Sequence, residues 1–485
     1  MTLTHPKHGG ALKRKRDGQR EETRPLKVRS TELAKPSTEA GAAWRTEHAI
    51  TIRSPTTSYV CPDPMLSFDD TPFSNEIKAC LAKAGYTKPT PTQAQSWPIA
   101  IAKHDMISVA KTGSGKTVGF LLPSFYHLAK DTKRHRAPRI LVLAPTRELA
   151  TQIEAEAKKF GSAPPYLRTA CVYGGAPKGP QIRQLSAGVD CLVACPGRLK
   201  DFMQANLVQL SSIEILVLDE ADRMLDMGFE PQIRFIVAGI PTMRQTLLFS
   251  ATWPKAIQKL ANEFLQNPVQ VEMGDINVLQ ANKDIEQTVT LCDFNDKYQH
   301  LLTVMDEAIK FENPTNTDLT NHVKTIVFFR TKRLCHSMAQ EYWNHGYAVG
   351  ALHGDMDQYE RTSTMEKFKT GELKLLFATD VAARGLDVKD VGVVINYDMP
   401  SSIEDYVHRI GRTGRAGAKG RSISFFTPDD AGFAKELIEI LTSAEQSVPK
   451  GLHDYVGKTK SKSGGGKGKF KGGSFHRQRG GGRRY

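Results

Sequence analysis

The feature that most constrains the fold is a set of short apolar segments without the polar alternation of a half-exposed strand. Segments with helical periodicity separate them. Strands that are apolar at successive positions are buried on both faces, and intervening helices are typical of parallel sheets. The sequence therefore predicts an α/β protein with two parallel sheets of about five strands each, flanked by helices. The predicted strands are 105–110, 140–144, 191–194, 214–218 and 245–249 in the first sheet, and 324–329, 348–352, 374–378, 391–396 and 421–426 in the second.

The length of 485 residues agrees with two domains, because one hydrophobic core rarely serves so long a chain. The segment 269–286 is polar and lacks a clear period, which favours a linker there. The predicted organisation is a basic, disordered extension (1–60), a first domain (61–270), a linker (271–286), a second domain (287–445) and a Gly/Lys/Arg-rich tail (446–485).

The net charge of +14 belongs to the ends of the chain. Residues 1–40 carry +5 and residues 455–485 carry +10, which leaves about −1 for residues 41–454. The C-terminal segment interleaves Gly with Lys and Arg and includes Phe470, Phe475 and Tyr485. This composition favours flexible phosphate binding with base stacking, and a solvated tail without a partner is the alternative.

Neither a membrane span nor a secretory signal is evident in the sequence, so we expect an intracellular protein without a membrane partner. The seven cysteines are scattered and lack C-x-x-C pairing, which favours reduced thiols over a disulfide framework or a zinc site. The basic cluster KRKR at 13–16 is either a nuclear-localisation patch or a run without function. The expected location is the nucleus and the cytoplasm, with the nucleolus as a further candidate compartment.

The segment AKTGSGKT at 110–117 matches the phosphate-binding pattern G-x-x-x-x-G-K-[ST], except that Ala110 takes the place of the first glycine. Glycines let backbone N–H groups approach phosphates, the lysine supplies a point charge, and the threonine offers a hydroxyl to Mg²⁺. A Gly/Ser turn without a ligand is the alternative. The predicted nucleotide-binding residues of this loop are Thr112, Gly113, Ser114, Gly115, Lys116 and Thr117.

The segment LVLDEAD at 216–222 places three carboxylates directly after an apolar strand. Asp219 is predicted to face a metal ion beside the phosphate-binding loop, and Glu220 to orient the attacking water. An ordinary acidic loop is the alternative, but the upstream loop favours a nucleotide-hydrolysing site with Mg²⁺ as the metal ion.

The motif order resembles that of the DEAD-box RNA helicases, whose name is spelled by residues 219–222. The resemblance spans roughly residues 68–426. The matching motifs are GYTKPTPTQ at 85–93 with Phe68 upstream, PTREL at 145–149, GG at 174–175, PGR at 196–198, SAT at 250–252, VFFRT at 327–331, Q-x-x-R at 358–361, ATDVAARGLD at 378–387 and YVHRIGRTGR at 406–415.

The resemblance implies two RecA-like domains that bind ATP and RNA across their cleft, so that RNA stimulates ATP hydrolysis and duplexes are locally unwound. It implies that Gln93 reads adenine, that Phe68 and Tyr86 pack around the base, and that Asp387 contacts the ribose. The implied catalytic set is Lys116, Asp219, Glu220 and the arginine fingers Arg412 and Arg415, with Thr117 and Asp219 at the metal. The residues implied to couple the two domains when ATP closes them are Asp222, Ser250, Thr252 and His408. The implied RNA-binding residues are Arg147, Gly175, Gly197, Arg198, Arg330, Arg361 and Thr379.

The resemblance further implies RNA contacts mostly through the sugar-phosphate backbone, a monomeric core and ribonucleoprotein partners. The nearest subgroup acts in ribosome biogenesis, mRNA processing and decay. One departure is Cys195, which stands where the family usually has threonine and which donates hydrogen bonds weakly.

Three alternatives stay open. A GTPase is suggested by Asn282-Lys283-Asp284, although Ile285 stands where that motif needs aspartate. An ATP-gated RNA clamp without productive unwinding would use the same fold, as would a DNA-translocating relative.

Overall fold

A computed structural model describes residues 32–33, 35–56, 58–111, 113–131, 133, 135–274, 284–310, 323–380, 388, 390–414 and 418–457, with the backbone alone for 32–33, 35–36 and 306–310. Several predictions concern residues outside these ranges. They are the basic cluster at 13–16, Thr112, Asn282, Lys283, Asp387, Arg415, Phe470, Phe475 and Tyr485.

The described chain forms two compact units. The first contains the described residues up to 274 except Thr146–Leu149 and Gly174–Pro177, and the second contains these two segments together with the described residues from 284 onward. Two domains were expected from the length and from the two series of apolar segments.

The first unit is built on a nine-stranded sheet in the order β1-β3-β11-β5-β10-β9-β6-β8-β7. Strands β5 to β11 pair in parallel, whereas β3 pairs antiparallel with β1 and β11. The strands are β1 Glu32–Leu33, β2 Lys35–Pro36, β3 Ile50–Ser54, β4 Val60–Cys61, β5 Met106–Val109, β6 Ile140–Leu143, β7 Thr169–Val172, β8 Cys191–Ala194, β9 Ile215–Leu218, β10 Gln245–Ser250 and β11 Val269–Met273, of which β2 and β4 form a separate parallel pair.

Ten helices connect and cover the described strands of the first unit. Helix α3 shows why they begin where they do: Thr90 is the N-cap, Pro91 is the first helical residue, and Thr90 and Gln93 form a capping box. The helices are α1 Glu39–Glu47, α2 Asn75–Lys83, α3 Pro91–Ile101, α4 Lys116–Ala129, α5 Arg147–Gly161, α6 Lys178–Ser186, α7 Pro196–Gln204, α8 Ala221–Asp226, α9 Glu230–Ala238 and α10 Lys255–Phe264.

The second unit is built on a six-stranded parallel sheet in the order β12-β17-β16-β13-β15-β14. Its strands are β12 Ile285–Leu291, β13 Lys324–Phe329, β14 Val349–Leu352, β15 Leu375–Thr379, β16 Val391–Asn396 and β17 Gly420–Phe426. Its helices are α11 Lys297–Lys310, α12 Lys332–Asn344, α13 Gln358–Thr370, α14 Ile403–Ile410 and α15 Ala434–Ser443, with short 3₁₀ helices at Phe294–Asp296, Pro428–Phe433 and Lys450–Tyr455.

The strands at the centre of this sheet are buried on both faces. Val327 and Phe329 of β13 belong to one apolar cluster, whereas the alternate residues Ile326 and Phe328 belong to another. Successive residues of a strand point to opposite faces, so both faces of β13 are covered. The predicted α/β class with two parallel, helix-flanked sheets is confirmed.

Three predicted boundaries were wrong. Helix α1 and strand β3 lie within the extension 1–60 that we expected to be disordered, and β3 lengthens the first sheet. Strand β11 occupies 269–273 and β12 begins at Ile285, so both ends of the predicted linker 271–286 are in sheets. The 3₁₀ helix Lys450–Tyr455 lies in the predicted tail 446–485, where Leu452 is buried in the core of the second unit.

None of the seven cysteines forms a disulfide. Within the described ranges, no helix has the length and apolar character needed to cross a bilayer. In those same ranges, His, Cys, Asp and Glu side chains do not gather in groups of three or more that could hold a metal ion.

Candidate nucleotide and RNA site

The phosphate-binding loop connects the end of β5 to the start of α4. Gly113 and Gly115 have φ angles of 77° and 84°, a left-handed conformation that glycine adopts without strain. A Cβ added to Gly115 would come within 2.6 Å of Nε2 of Gln93 and 3.0 Å of Oγ1 of Thr90. The close packing of this loop against α3 therefore requires glycine at position 115.

Polar groups of the loop surround the N-terminal end of α4, a helix end that favours anions. Nζ of Lys116 is buried and donates to the carbonyl oxygen of Ala110 at 2.9 Å. Oγ of Ser114 is buried without a hydrogen-bond partner among the described residues. Thr117, half-buried, lies in the first turn of α4. Together, the buried cation, the orphaned hydroxyl and the helix end fit a phosphate group.

Asp219 follows β9 directly and is 3% exposed. Burial raises the pKa of its carboxyl group to about 7, whereas the nearby ammonium of Lys116 acts in the opposite direction. Its Oδ1 accepts a hydrogen bond from the backbone nitrogen of Glu220 at 3.0 Å. A carboxylate that is buried next to a phosphate-binding loop fits a Mg²⁺ ion, which would hold it in the charged form.

Glu220 adopts a left-handed backbone conformation, with φ 50° and ψ 52°. This conformation is uncommon for a residue with a long side chain and costs of the order of 1 kcal/mol. It stands at the N-cap of α8, where its side chain forms no capping hydrogen bond in the described structure. The strained position agrees with a functional role for Glu220, and the predicted role in orienting water stays a prediction.

Gln93 connects the start of α3 to the phosphate-binding loop. Its Nε2 donates to the carbonyl oxygen of Gly115 at 3.1 Å, and its Oε1 accepts from the backbone nitrogen of Thr90 at 3.0 Å. Thr90 in turn donates through Oγ1 to the carbonyl oxygen of Ser114 at 2.8 Å. The structure brings Gln93 to the nucleotide loop, and its reading of adenine stays a prediction.

Phe68 and Tyr86 are half-buried aromatic residues near α3. The ring of Phe68 lies 6.2 Å from the ring of Trp97, and the ring of Tyr86 lies 6.5 Å from that of Phe160. Each ring keeps an exposed part, as a base-packing side chain requires.

The first unit brings three of the predicted coupling residues together. Oδ2 of Asp222 accepts from the backbone nitrogen and the hydroxyl of Thr252, at 3.0 and 2.9 Å. Ser250, at the end of β10, is buried, and its Oγ has no hydrogen-bond partner among the described residues. The fourth predicted coupling residue, His408, is buried on α14 of the second unit.

The predicted RNA-binding residues of the first half lie at helix ends and loops. A Cβ on Gly175 would collide with the guanidinium of Arg147, so these two residues are close neighbours. Gly197 and Arg198 lie in the first turn of α7, and the guanidinium of Arg198 stacks 5.5 Å from the ring of Phe202.

Cys195 is the N-cap residue of α7, and its side chain makes no capping hydrogen bond in the described structure. Threonine at this position would offer an oxygen to the exposed N–H groups of the first turn. The departure from the family pattern therefore affects the helix end that presents Gly197 and Arg198.

In the second unit, Arg330 is largely exposed and donates to Oδ1 of Asp430 at 2.9 Å and to the carbonyl oxygen of Met399 at 3.2 Å. Thr379 is the last residue of β15 and is buried, as is Arg361 on α13. Arg412 follows α14 and donates through Nε to the carbonyl oxygen of His408 at 3.1 Å. Their RNA-binding and phosphate-binding roles stay predictions.

Comparison with known proteins decides the family. Residues 90–260 match the sequence profile of the DEAD/DEAH box helicases, and residues 305–417 match that of the helicase conserved C-terminal domain. DEAD-box ATP-dependent RNA helicase 46 of Arabidopsis thaliana is 47% identical over 430 residues, which are 88% of this chain and 63% of that protein. ATP-dependent RNA helicase DBP2 of Candida glabrata is 42% identical over 465 residues, which are 92% of this chain and 83% of that protein. The chain belongs to the DEAD-box RNA helicase family.

A solved structure of this family has the same architecture. Saccharomyces cerevisiae Dbp5, in a variant bound to RNA and ADP BeF₃, is 29% identical, with a TM-score of 0.68 over 80% of this chain and 97% of that one. The two units of this DEAD-box protein are therefore RecA-like domains. The chain spans less than two thirds of the length of helicase 46.

Two further functional candidates of this DEAD-box protein, Arg409 and Asp380, were not singled out from the sequence, although they lie within two of its motifs. Arg409 on α14 is 2% exposed and donates through Nε and Nη2 to the two carboxylate oxygens of Asp380, at 2.5 and 2.7 Å. Asp380 directly follows Thr379, and Arg409 lies three residues before Arg412. This bidentate pair joins the motif predicted to bind RNA to the motif predicted to hold the arginine fingers. The sequence signal that could have identified this pair is an acidic residue in the motif at 378–387 and a basic residue in the next motif, at 406–415.

Proposed function

We propose that the protein is an ATP-dependent RNA helicase, which hydrolyses ATP faster in the presence of RNA and locally separates short RNA duplexes. The observation that carries the proposal is the pairing of a phosphate-binding loop with the buried carboxylate of Asp219 and the strained Glu220 in the first RecA-like domain. The names of the relatives, and the RNA and nucleotide in the Dbp5 structure, support the same activity.

The chemistry assigned to this site follows from its residues. The loop N–H groups, Lys116 and the N-terminal end of α4 bind phosphate oxygens, while Asp219 and Thr117 would hold Mg²⁺. The metal ion, when bound, neutralises charge that develops on the phosphates. Glu220 accepts a hydrogen bond from the attacking water and so orients it. Arg412 and Arg415 keep their predicted role as arginine fingers.

RNA is proposed to contact Arg147, Gly175, Gly197, Arg198, Arg330, Arg361 and Thr379. Backbone and guanidinium groups of this kind contact phosphate and sugar, which positions a strand without reading its sequence. We therefore expect stimulation by RNAs of unrelated sequence. The proposed substrates are RNA duplexes and ribonucleoprotein complexes of ribosome biogenesis, mRNA processing and decay.

Steady-state hydrolysis tests the proposal. We expect ATP to be hydrolysed faster than GTP, and RNA to stimulate hydrolysis more than DNA of equal length. Glu220→Gln should lower the RNA-stimulated rate by at least about 100-fold, because a positioned acid-base group contributes that much. Glu230→Gln is the matched control, because the Glu230 side chain is exposed on α9 and pairs only with Arg234 among described residues.

Each outcome decides between the alternatives. Preference for GTP would indicate a GTPase, and equal stimulation by DNA would indicate a DNA-translocating relative. ATP-dependent RNA binding without strand separation would support the clamp. An unchanged rate in Glu220→Gln would remove the helicase proposal altogether.

The C-terminal tail is proposed to add RNA affinity through its net charge of +10. Because the ring of Tyr455 packs 5.4 Å from that of Phe426, a deletion should begin after it, at residue 458. Removal of residues 458–485 should weaken RNA binding and flatten its salt dependence, while basal ATP hydrolysis stays the same. If the salt dependence of RNA binding does not change, the tail does not contribute to RNA binding.

We also propose a nuclear and cytoplasmic location, for which the basic cluster at 13–16 is the support. Replacement of its four residues by alanine in a fluorescent fusion should reduce nuclear signal. An unchanged distribution would show that this cluster carries no targeting information.

A further inference from the structure

A buried arginine fastens the N-terminal segment to helix α3. Arg45, on α1, is 6% exposed, and its Nε donates to Oε1 of Gln95 at 2.8 Å. Its Nη2 donates to the carbonyl oxygen of Pro62 at 2.9 Å and lies 3.8 Å from a carboxylate oxygen of Asp63. A buried guanidinium is costly unless its donors are satisfied, so these contacts fix its position.

Gln95, on α3, accepts the hydrogen bond from Nε of Arg45. It is fully buried, and its Nε2 donates to the carbonyl oxygen of Pro62 at 3.2 Å and to Sγ of Cys61 at 3.3 Å. The adjacent backbone adds a further bond, from the nitrogen of Met65 to the carbonyl oxygen of Ala94 at 2.9 Å. One side of α3 is thus held by a segment that precedes the matched family profile, which begins at residue 90.

The other side of α3 holds the nucleotide loop and the helix after it. Three hydrogen bonds leave the helix start and its centre: Thr90 to the carbonyl oxygen of Ser114, Gln93 to that of Gly115, and Trp97 to that of Val118. Because α3 is rigid over its short length, a displacement at Gln95 is transmitted to Gln93, two residues away.

We propose that Arg45 is a positioning residue for nucleotide binding, which acts through Gln95 to hold α3 and hence Gln93 against the phosphate-binding loop. This inference rests on the proposed function and adds to it a determinant of nucleotide affinity outside the matched family profile. Among the described residues, the hydrogen bonds and the ion pair of Arg45 go to Gln95, Cys61, Pro62 and Asp63, outside the phosphate-binding loop, so its effect on the nucleotide is indirect.

The test compares Arg45→Met, Gln95→Met and the double variant in the full chain. Equilibrium binding of a fluorescent ADP analogue is measured without RNA, beside KM and kcat for ATP and the thermal unfolding temperature. Each single variant should weaken ADP binding by about 3- to 30-fold and raise KM similarly, with a smaller change in kcat. The double variant should resemble the single ones, because both act through one contact. Arg45→Lys keeps the charge but not the planar fork, so it should give an intermediate affinity.

Arg53→Met is the matched control. Arg53 lies in the same N-terminal segment and pairs with Glu272 at 3.0 Å, and this ion pair joins β3 to β11, whereas the hydrogen bond from Nε of Arg45 leads to Gln95 on α3. It should lower the unfolding temperature without a change in ADP affinity. Unchanged ADP affinity in Arg45→Met, or an equal loss in Arg53→Met at the same drop in unfolding temperature, would overturn the inference. Because ADP binding requires neither RNA nor hydrolysis, a failure of the helicase proposal would be seen separately, in the wild-type rate.

Discussion

The carboxylate of Asp222 accepts two hydrogen bonds from Thr252, one from its backbone nitrogen at 3.0 Å and one from its hydroxyl at 2.9 Å. The same oxygen also accepts from the backbone nitrogen of Ala251 at 3.2 Å. These bonds connect the first turn of α8 to the loop after β10, two segments that the family resemblance assigns to coupling between the two domains.

Thr252→Val removes the hydroxyl donor and keeps the shape of the side chain. Loss of a hydrogen bond to a buried carboxylate should lower the free energy of unfolding by about 1–3 kcal/mol. We expect RNA duplex separation per ATP hydrolysed to fall, while RNA-stimulated hydrolysis persists. Thr246→Val is the control, because Oγ1 of Thr246 is buried on β10 without a hydrogen-bond partner among the described residues. Equal loss of unwinding in both variants would contradict a specific role for Thr252.

The raised pKa of Asp219, about 7, predicts a pH dependence of stability in the nucleotide-free, magnesium-free protein. The folded state favours the neutral carboxyl, so this stabilising contribution is full below about pH 4 and is lost as the pH rises towards 7. Asp219→Asn should therefore stabilise the protein at pH 8 relative to the wild type. The difference should shrink as the pH falls below 7, as measured by urea unfolding in EDTA. A difference that is constant with pH would show that the carboxyl titrates normally.

The strands that the sequence predicted are those with apolar residues on both faces, such as β6 and β9. The missed strand β11, VQVEM, alternates with the polar residues Gln270 and Glu272, which are nevertheless buried. Nε2 of Gln270 donates to Oε1 of Glu272 at 2.7 Å, and the same oxygen accepts from Arg53 on β3 at 3.0 Å. A distant partner thus makes burial of these polar residues possible, and such a partner cannot be read from local periodicity.

The residues of the candidate site divide in the same way, into those that local motifs predict and those that depend on distant contacts. Lys116 and Asp219 were predicted because each belongs to a short motif that comes after an apolar strand. The connection from Arg45 through Gln95 to the loop was missed, because it joins residues 50 positions apart and has no motif of its own. The bidentate contact of Arg409 with Asp380 likewise depends on the packing of α14 beside the end of β15.

Cys195→Thr should improve both stability and RNA binding. A threonine at the N-cap of α7 can accept from the backbone N–H groups of the first turn, which should add about 0.5–2 kcal/mol to the free energy of unfolding. The hydroxyl is also a stronger donor to an RNA phosphate than the thiol. Cys195→Val is the control, because it has a similar shape without a polar atom. RNA affinity and urea unfolding that do not differ between the two variants would show that this helix end needs no capping oxygen.

Asp380→Asn should lower the free energy of unfolding of the second RecA-like domain by more than the loss of an exposed ion pair does. The substitution removes the countercharge of Arg409 and one of its two carboxylate acceptors, so that the amide oxygen at position 380, Oδ1 of Asn396 and the carbonyl oxygen of Asp398 remain. Loss of one partner of a fully buried pair costs about 3–5 kcal/mol, and the 22% exposure of the Asp380 side chain places the expected cost towards the lower end of that range. Asp355→Asn is the matched control, because its side chain is 59% exposed and pairs with Lys332, which is 60% exposed, so its loss should cost less than about 1 kcal/mol. Urea unfolding measures both values, and similar costs for the two variants would show that the Arg409 pair contributes no more than a surface contact.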